Sequence, residues 1–154
     1  MDEKTFREAM GKFATGITVV MTELDAEIHG MTANAFISVS LKPPLILVSV
    51  DKKASMHEKL KKTGRFTVSI LNQDQQALSM HFSKQKRLES VTPFIETLGG
   101  QSVIKDALSA VSCRLYEAHP SGDHTLYIGE VEALKVGSGK PLTYYEGKYN
   151  AIED

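Results

Sequence analysis

Extended-chain patterns dominate this sequence and limit what it can fold into. Runs rich in β-branched residues, ITVVMT (17–22), LILVSV (45–50) and RFTVSIL (65–71), recur between turns that carry Pro, Gly or Asp. Two longer extended stretches, 107–118 and 125–136, flank Pro120-Ser121-Gly122-Asp123, a turn-forming tetrad. Helical spacing is confined to three short windows. In 2–13, Phe6, Met10 and Phe13 share a face and Gly16 ends the segment; in 54–62, Met56 and Leu60 form the apolar pair; in 73–83, Leu78 and Phe82 lie at i, i+4. These windows do not alternate regularly with strands, which argues against a doubly wound parallel sheet. Six or seven strands and three short helices predict a mostly antiparallel barrel, closed or half-closed, with helices plugging its ends.

Residues 28–41 read as one extended run, with Thr32, Asn34, Phe36, Ser38 and Ser40 on one face. Lys42-Pro43-Pro44 cannot sit inside a sheet and serves as a connection. The polar stretch 84–100, with Pro93 and Gly99-Gly100, predicts a long loop, and GSGKP (137–141) turns the chain into a last extended piece, 142–149. No internal repeat or linker interrupts the pattern, so residues 1–154 are expected to form a single domain.

Composition narrows the function. Eighteen basic against nineteen acidic residues give a net charge of −1, which provides no global field for nucleic acid or an anionic membrane. The lone Cys113 cannot form an internal disulfide and fits a reducing compartment. No apolar run approaches the ~20 residues of a membrane span, and the charged start MDEKTFREAM lacks a signal core. A cytoplasmic protein with no nucleic-acid or membrane partner is expected. Neither GxGxxG nor GxxxxGK[ST] occurs, and Gly137-Ser138-Gly139 is no nucleophile elbow. The five histidines show no metal-ligand spacing, so no metal site is expected. Cys113, mid-strand on an apolar face, reads as a small buried hydrophobe rather than a nucleophile.

Three segments remain. Lys52 and Lys53 stand where a strand runs into a helix that starts at Ala54-Ser55; ammonium groups, free N–H groups and a hydroxyl together suit a phosphate. Many helices begin this way, and Lys59, Lys61 and Lys62 belong to a solvated face. GMTANAF strings together small residues that pack a sheet poorly. It marks either a place where a flat ligand lies against backbone or a barrel bend that tolerates small side chains. His124, directly after the Pro-Ser-Gly-Asp turn, is either a loop-borne site residue or a structural histidine.

FREAMGKFATGITVVMT (6–22), HGMTANAFISVSLKPPLILVSVDKKASM (29–56), RFTVSIL with QDQQALSMHFS (65–83), GDHTLYIGEV (122–131) and PLTYYEGKY (141–149) together carry a resemblance that spans nearly the whole chain. It is to the flavin reductase-like family of the FMN-binding split-barrel fold, and within it to reductase components of two-component phenol or 4-hydroxyphenylacetate hydroxylases. The resemblance implies a mostly β (α+β) fold: an antiparallel split β-barrel of Greek-key type with three short flanking helices. It implies hydride transfer from NADH to FAD or FMN, with reduced flavin supplied to a separate flavin-dependent oxygenase, and a homodimer with flavin in the groove between subunits. An electron carrier of the flavoredoxin type, which binds flavin without NADH activity, is the alternative.

By the same resemblance, Thr32, Ala33, Asn34 and Ala35 line the flavin ring, with Ser38 on the same strand face. Ser49, Val50 and Asp51 meet its far edge, and Lys53, Ala54 and Ser55 hold the phosphate. Phe82 and Ser83 form a second cofactor-proximal turn. Gly122, Asp123, His124 and Thr125 meet the nicotinamide, with His124 orienting it, and Tyr149 lies near the same pocket. The stretch 84–100 matches nothing specific.

Overall fold

Val19, Val20 and Met21 of ITVVMT are all fully buried, so this strand is covered on both faces and the molecule is organised around it. The computed structural model describes residues 1–153. Seven strands, β2 (Thr18–Leu24), β3 (Glu27–Ala33), β4 (Phe36–Leu41), β5 (Pro44–Asp51), β6 (Arg65–Ile70), β9 (Ser109–Ser121) and β10 (His124–Val136), form one antiparallel sheet in the order β3-β2-β6-β9-β10-β5-β4. β1 (Thr15–Gly16), β11 (Leu142–Tyr145) and β12 (Lys148–Ala151) form a small second sheet, and β7 (Ile95–Leu98) pairs with β8 (Gln101–Ile104).

β3 and β4 occupy opposite edges of the large sheet, yet only Asn34 and Ala35 separate them in sequence. The three Cα steps from Ala33 to Phe36 span at most about 11 Å. The sheet therefore curls until its edges approach at this end. No ladder joins β3 to β4 among the described residues, so the curled sheet stays open there.

Side-chain alternation divides the core. On one face Val20, Val48, Val50, Phe66 and Tyr127 pack with Met56 and Leu60 of α2 (Ser55–Thr63). On the other, Val19, Met21 and Leu71 pack with Leu78 of α3 (Gln76–Phe82), Ile104 and Leu142. α2 has nine residues, too few to persist alone in water. Burial of Met56 and Leu60, worth about 1.5–3 kcal/mol each, holds it on the sheet.

The structure corrects several expectations. Residues 28–41 are two strands, because β3 pairs with β2 while β4 pairs with β5, and no alternation carries through 34–35. The stretch 84–100 contains a 3-10 turn, Thr92–Phe94, and the β7–β8 hairpin, whose Gly99-Gly100 turn has φ of 58° and 79°. Adjacent glycines at positive φ are the signature of a tight hairpin. Residues 142–149 belong to a second hairpin, β11–β12, so twelve strands among the described residues replace the six or seven expected. α1 runs Glu3–Met10, shorter than 2–13, and buries none of its residues. Phe6, Met10 and Phe13 are 51%, 57% and 78% exposed, since nothing in this chain covers their shared face. The third helix is likewise trimmed, from 73–83 to α3.

Candidate cofactor site

The site is built around the break at Asn34-Ala35. Gly30 lets the Phe82 ring lie flat on β3; a Cβ there would stand 2.5 Å from it. The Thr32 hydroxyl donates to the Ser79 carbonyl (2.6 Å), and the Thr18 hydroxyl donates to the Ala33 carbonyl (2.7 Å). Pairing with β2 ends at Ala33, and the chain crosses to β5, where the Ser49 N–H donates to the Ala35 carbonyl (3.1 Å). The N–H groups of Asn34 and Ala35 and the exposed Asn34 amide have no hydrogen-bond partner among the described residues.

Two cavities meet at Asn34. A cavity of 180 Å3 is lined by Thr32, Ala33 and Asn34 together with Ser83, Gln85 and Tyr149. A larger, mainly apolar cleft of 720 Å3 lies beyond, bounded by Gly16, Asn34, Ala35, Phe36, Leu47 and Ser49. Thr15 also lines this cleft, and its hydroxyl is buried without a partner.

The end of β5 supplies a second feature. Asp51 Oδ1 accepts the Lys53 N–H (2.8 Å), and the Asp51 carbonyl accepts the Ala54 N–H (2.9 Å), a tight turn into α2. Ala54 at the N-cap has no side-chain acceptor, so the N–H groups of Ser55 and Met56 are uncapped. The exposed Lys52 and Lys53 ammonium groups form no ion pair among the described residues. Free N–H groups at a helix start, flanked by two ammonium groups, suit an anion.

β10 brings His124 opposite Asp51 in register, and the Lys52 N–H donates to the Asp123 carbonyl (2.9 Å). The Gly122-Asp123 turn needs φ of 62° at Gly122. His124 Nδ1 lies 2.7 Å from Asp123 Oδ1. The bond from His124, then its charge, and more weakly Lys53, hold the Asp123 carboxyl below its ordinary range.

The expected residues therefore fall into three groups. Thr32, Ala33, Asn34, Ser83 and Tyr149, distant in sequence, share the smaller cavity; Asn34, Ala35 and Ser49 share the larger; Asp51, Lys53, Ala54, Ser55, Gly122, Asp123 and His124 cluster at the β5–β10 end. Val50 and Thr125 are 1% exposed and Phe82 packs on Gly30, so their side chains face the interior. Ser38 lies on exposed β4, opposite Ile46 and outside both cavities. Sequence reasoning missed Ser79, which is fully buried and whose hydroxyl bonds the Tyr149 hydroxyl (2.9 Å). A serine next to Leu78 on a buried helix face was its only signal. Tyr144, edge-to-face with Tyr149 at 5.6 Å, and Gln85 were also missed. Burial raises the Cys113 thiol to about 12, so it is no nucleophile at neutral pH.

Free donors beside a flat cleft, with an anion cradle at the end of the adjoining strand, could hold a planar ring that carries phosphate. Fold and site thus define the class: an open, curled antiparallel β protein with a groove fit for a flavin-like nucleotide. Residues 10–153 match the model of the flavin reductase like domain, and the chain belongs to that family. It is 42% identical over 96% of its length to an NADH-dependent flavin reductase of Rhodococcus sp, covering 85% of that protein. It is 38% identical to the reductase component of 4-hydroxyphenylacetate 3-monooxygenase of Thermus thermophilus, covering 97% of each. The solved structure of the flavin reductase PheA2 in its native state superposes with a TM-score of 0.95 at 50% identity, covering all of both chains.

Proposed function

We propose that this protein is an NADH-dependent flavin reductase that delivers reduced flavin to a separate flavin-dependent monooxygenase. The observation that carries the reading is the pairing of unpartnered donors at Asn34-Ala35 with the uncapped, lysine-flanked start of α2. Bound FAD or FMN would supply the hydride acceptor. The chain's own residues orient and stabilise. The Asn34 amide and the backbone N–H groups of 34–35 would donate to the electron-rich edge of the bound ring, where negative charge grows on reduction. Lys53, Ser55 and the α2 N–H groups take the phosphate.

His124 positions the nicotinamide. Its Nδ1 donates to the Asp123 carboxylate, which fixes the ring and leaves Nε2 free to hydrogen-bond the carboxamide. No proton moves in the hydride step itself, so no general acid is required of it.

The open, curled sheet supports a split barrel that forms a single domain over 1–154. The uncovered apolar residues Phe6 and Met10 of α1, Phe13 just beyond it, and Ile37, Val39 and Leu41 of β4 support a homodimer, in which a second copy would also wall the apolar cleft. A balanced charge and a single buried cysteine fit a cytoplasmic location. Among the described residues no helix is long and apolar enough to cross a membrane.

The test is NADH consumption by the purified protein with FMN or FAD, alongside its absorbance spectrum. Turnover with either flavin is expected. Flavin binding without NADH oxidation would make the protein an electron carrier, and absence of flavin binding would remove the reading.

A further inference from the structure

The stretch after α3 belongs to no motif, yet it carries Gln85 into the smaller cavity. Its first residues are held by the end of the helix: the Ser83 N–H donates to Ser79, and the Gln85 and Lys86 N–H groups donate to the Met80 carbonyl. From Arg87 to Glu89 a single hydrogen bond ties the described backbone down. The Leu88 N–H donates to His81 Nδ1 at 2.9 Å. A backbone N–H can only donate, so Nδ1 carries no proton and the ring is the neutral Nε2–H form. The ring also meets Phe82, edge-to-face at 4.8 Å, while Leu88, like Tyr149, packs against the cluster that contains Leu78.

We propose that His81 is a positioning residue: its neutral imidazole latches Leu88, and with it the segment that carries Gln85 to the cavity at Asn34, and protonation releases that latch. The inference rests on the cofactor reading of that cavity only for its effect on binding; the latch itself stands on the Leu88 contact.

A protonated ring presents N–H groups at both nitrogens, so Nδ1 can no longer accept and faces the Leu88 N–H donor to donor. Burial, and secondarily the Arg87 guanidinium, push the His81 pKa below its ordinary 6.5, so the latch is closed at neutral pH and opens on the acid side. The surrounding charges do not reverse this direction. The segment itself brings Lys84, Lys86, Arg87 and Glu89. β3 turns Ile28, Gly30 and Thr32 toward α3, while its titratable pair, His29 and Glu27, lies on the other pleat face with Met31 and Ala33. β2 contributes the apolar Val19 and Met21; Glu23 at its end accepts from Ser102. β12 contributes Tyr149, through Ser79.

The test is amide hydrogen exchange at Leu88 from pH 5 to 8, corrected for intrinsic rates, in the full-length protein and in His81→Asn and His81→Phe. FMN affinity is measured over the same range. The wild type should lose Leu88 protection below about pH 6.5, by about two- to tenfold, as for one hydrogen bond. His81→Asn keeps an acceptor that does not titrate, so protection should persist without the pH step. His81→Phe should lack protection throughout. FMN affinity should fall with protection in the wild type and stay flat with pH in His81→Asn. Equal Leu88 protection in all three proteins, or a pH step that survives in His81→Asn, overturns the latch. A latch that opens as described while FMN affinity stays constant overturns its coupling to the cofactor if Asn34→Asp still weakens FMN. If Asn34→Asp is also without effect, the cofactor reading of the cavity fails and the latch stands.

Discussion

His57 Nε2 lies 2.7 Å from the hydroxyl of Thr125, and this buried contact ties the first turn of α2 to the strand that begins with His124. Glu58 Oε1 accepts a hydrogen bond from Nδ1–H at 3.1 Å, so Nε2 accepts from the Thr125 hydroxyl. The Tyr127 hydroxyl donates to the His57 carbonyl at 2.7 Å, a second tie between the same elements. The Lys53–Ser55 helix start and the Gly122-Asp123 turn are therefore parts of one rigid unit. Thr125→Val removes the donor and leaves a buried ring nitrogen unsatisfied, at a cost of about 1–3 kcal/mol. A lower Tm accompanied by weaker flavin binding is expected; unchanged values of both would show that the contact does not couple the two elements.

Asn34→Asp replaces a free amide donor with a carboxylate that, in the proposed site, would face the electron-rich edge of the flavin. Flavin affinity should fall by about tenfold or more, one hydrogen bond plus charge repulsion, while Tm changes little because the Asn34 side chain is exposed and has no hydrogen-bond partner among the described residues. Titration of flavin fluorescence measures the first quantity and thermal unfolding the second. Flavin affinity equal to that of the wild type would reject the assignment of 32–35.

Lys53→Ala and Ser55→Ala should raise the flavin Kd, and the Lys53 effect should shrink as salt is added, because an exposed ammonium is screened by ions. Kd measured at low and high ionic strength tests this. Normal flavin binding with lost NADH turnover would move both residues to the nicotinamide side.

His124→Ala should raise KM for NADH or slow hydride transfer by about several-fold to a hundredfold, the range for one hydrogen bond up to one involving a charge. Flavin affinity and Tm should stay near wild type. The Asp123 carboxyl should move back up toward its ordinary 3.8 once its partner is gone. A depressed carboxyl stabilises the fold above the unfolded value and loses that contribution only as pH falls through the folded one. Asp123 therefore stays ionised across the neutral range, and no pH effect from it is expected there. A lowered Tm with intact NADH kinetics would make His124 a structural cap.

Gly30→Ala puts a methyl group 2.5 Å from the Phe82 ring, which must then shift with α3. A loss of about 1–3 kcal/mol is expected for such overpacking. Gly16→Ala meets nothing within 4 Å and should keep Tm near wild type. Thermal unfolding of the pair isolates the close approach from the general cost of replacing glycine.

Strand runs such as LILVSV and the helices at Met56–Leu60 and Leu78–Phe82 were legible in the sequence, and so was the presence of turns at Pro43 and at Gly122-Asp123. Each is written in local spacing and turn chemistry, which need no distant partner. The uncapped, lysine-flanked helix start at Lys53–Ser55 was legible for the same reason, since a helix start is a local event. Pro44, by contrast, expected in a connection, opens β5 opposite Leu41, and Pro120 and Ser121, expected in a turn, are paired residues of β9. What only the tertiary structure decided is pairing. Whether GMTANAF bends or binds depends on β3 and β4 choosing different neighbours, β2 and β5, and that choice breaks the run at Asn34 and leaves its donors free. Ser83 and Tyr149 reach the same cavity, and Ser79 joins Thr32 to Tyr149, because α3 packs on β3 through Gly30. The exposure of Phe6 and Met10 on α1 is equally a tertiary result: their spacing specifies an apolar face, and only the packing of the remaining chain leaves that face uncovered.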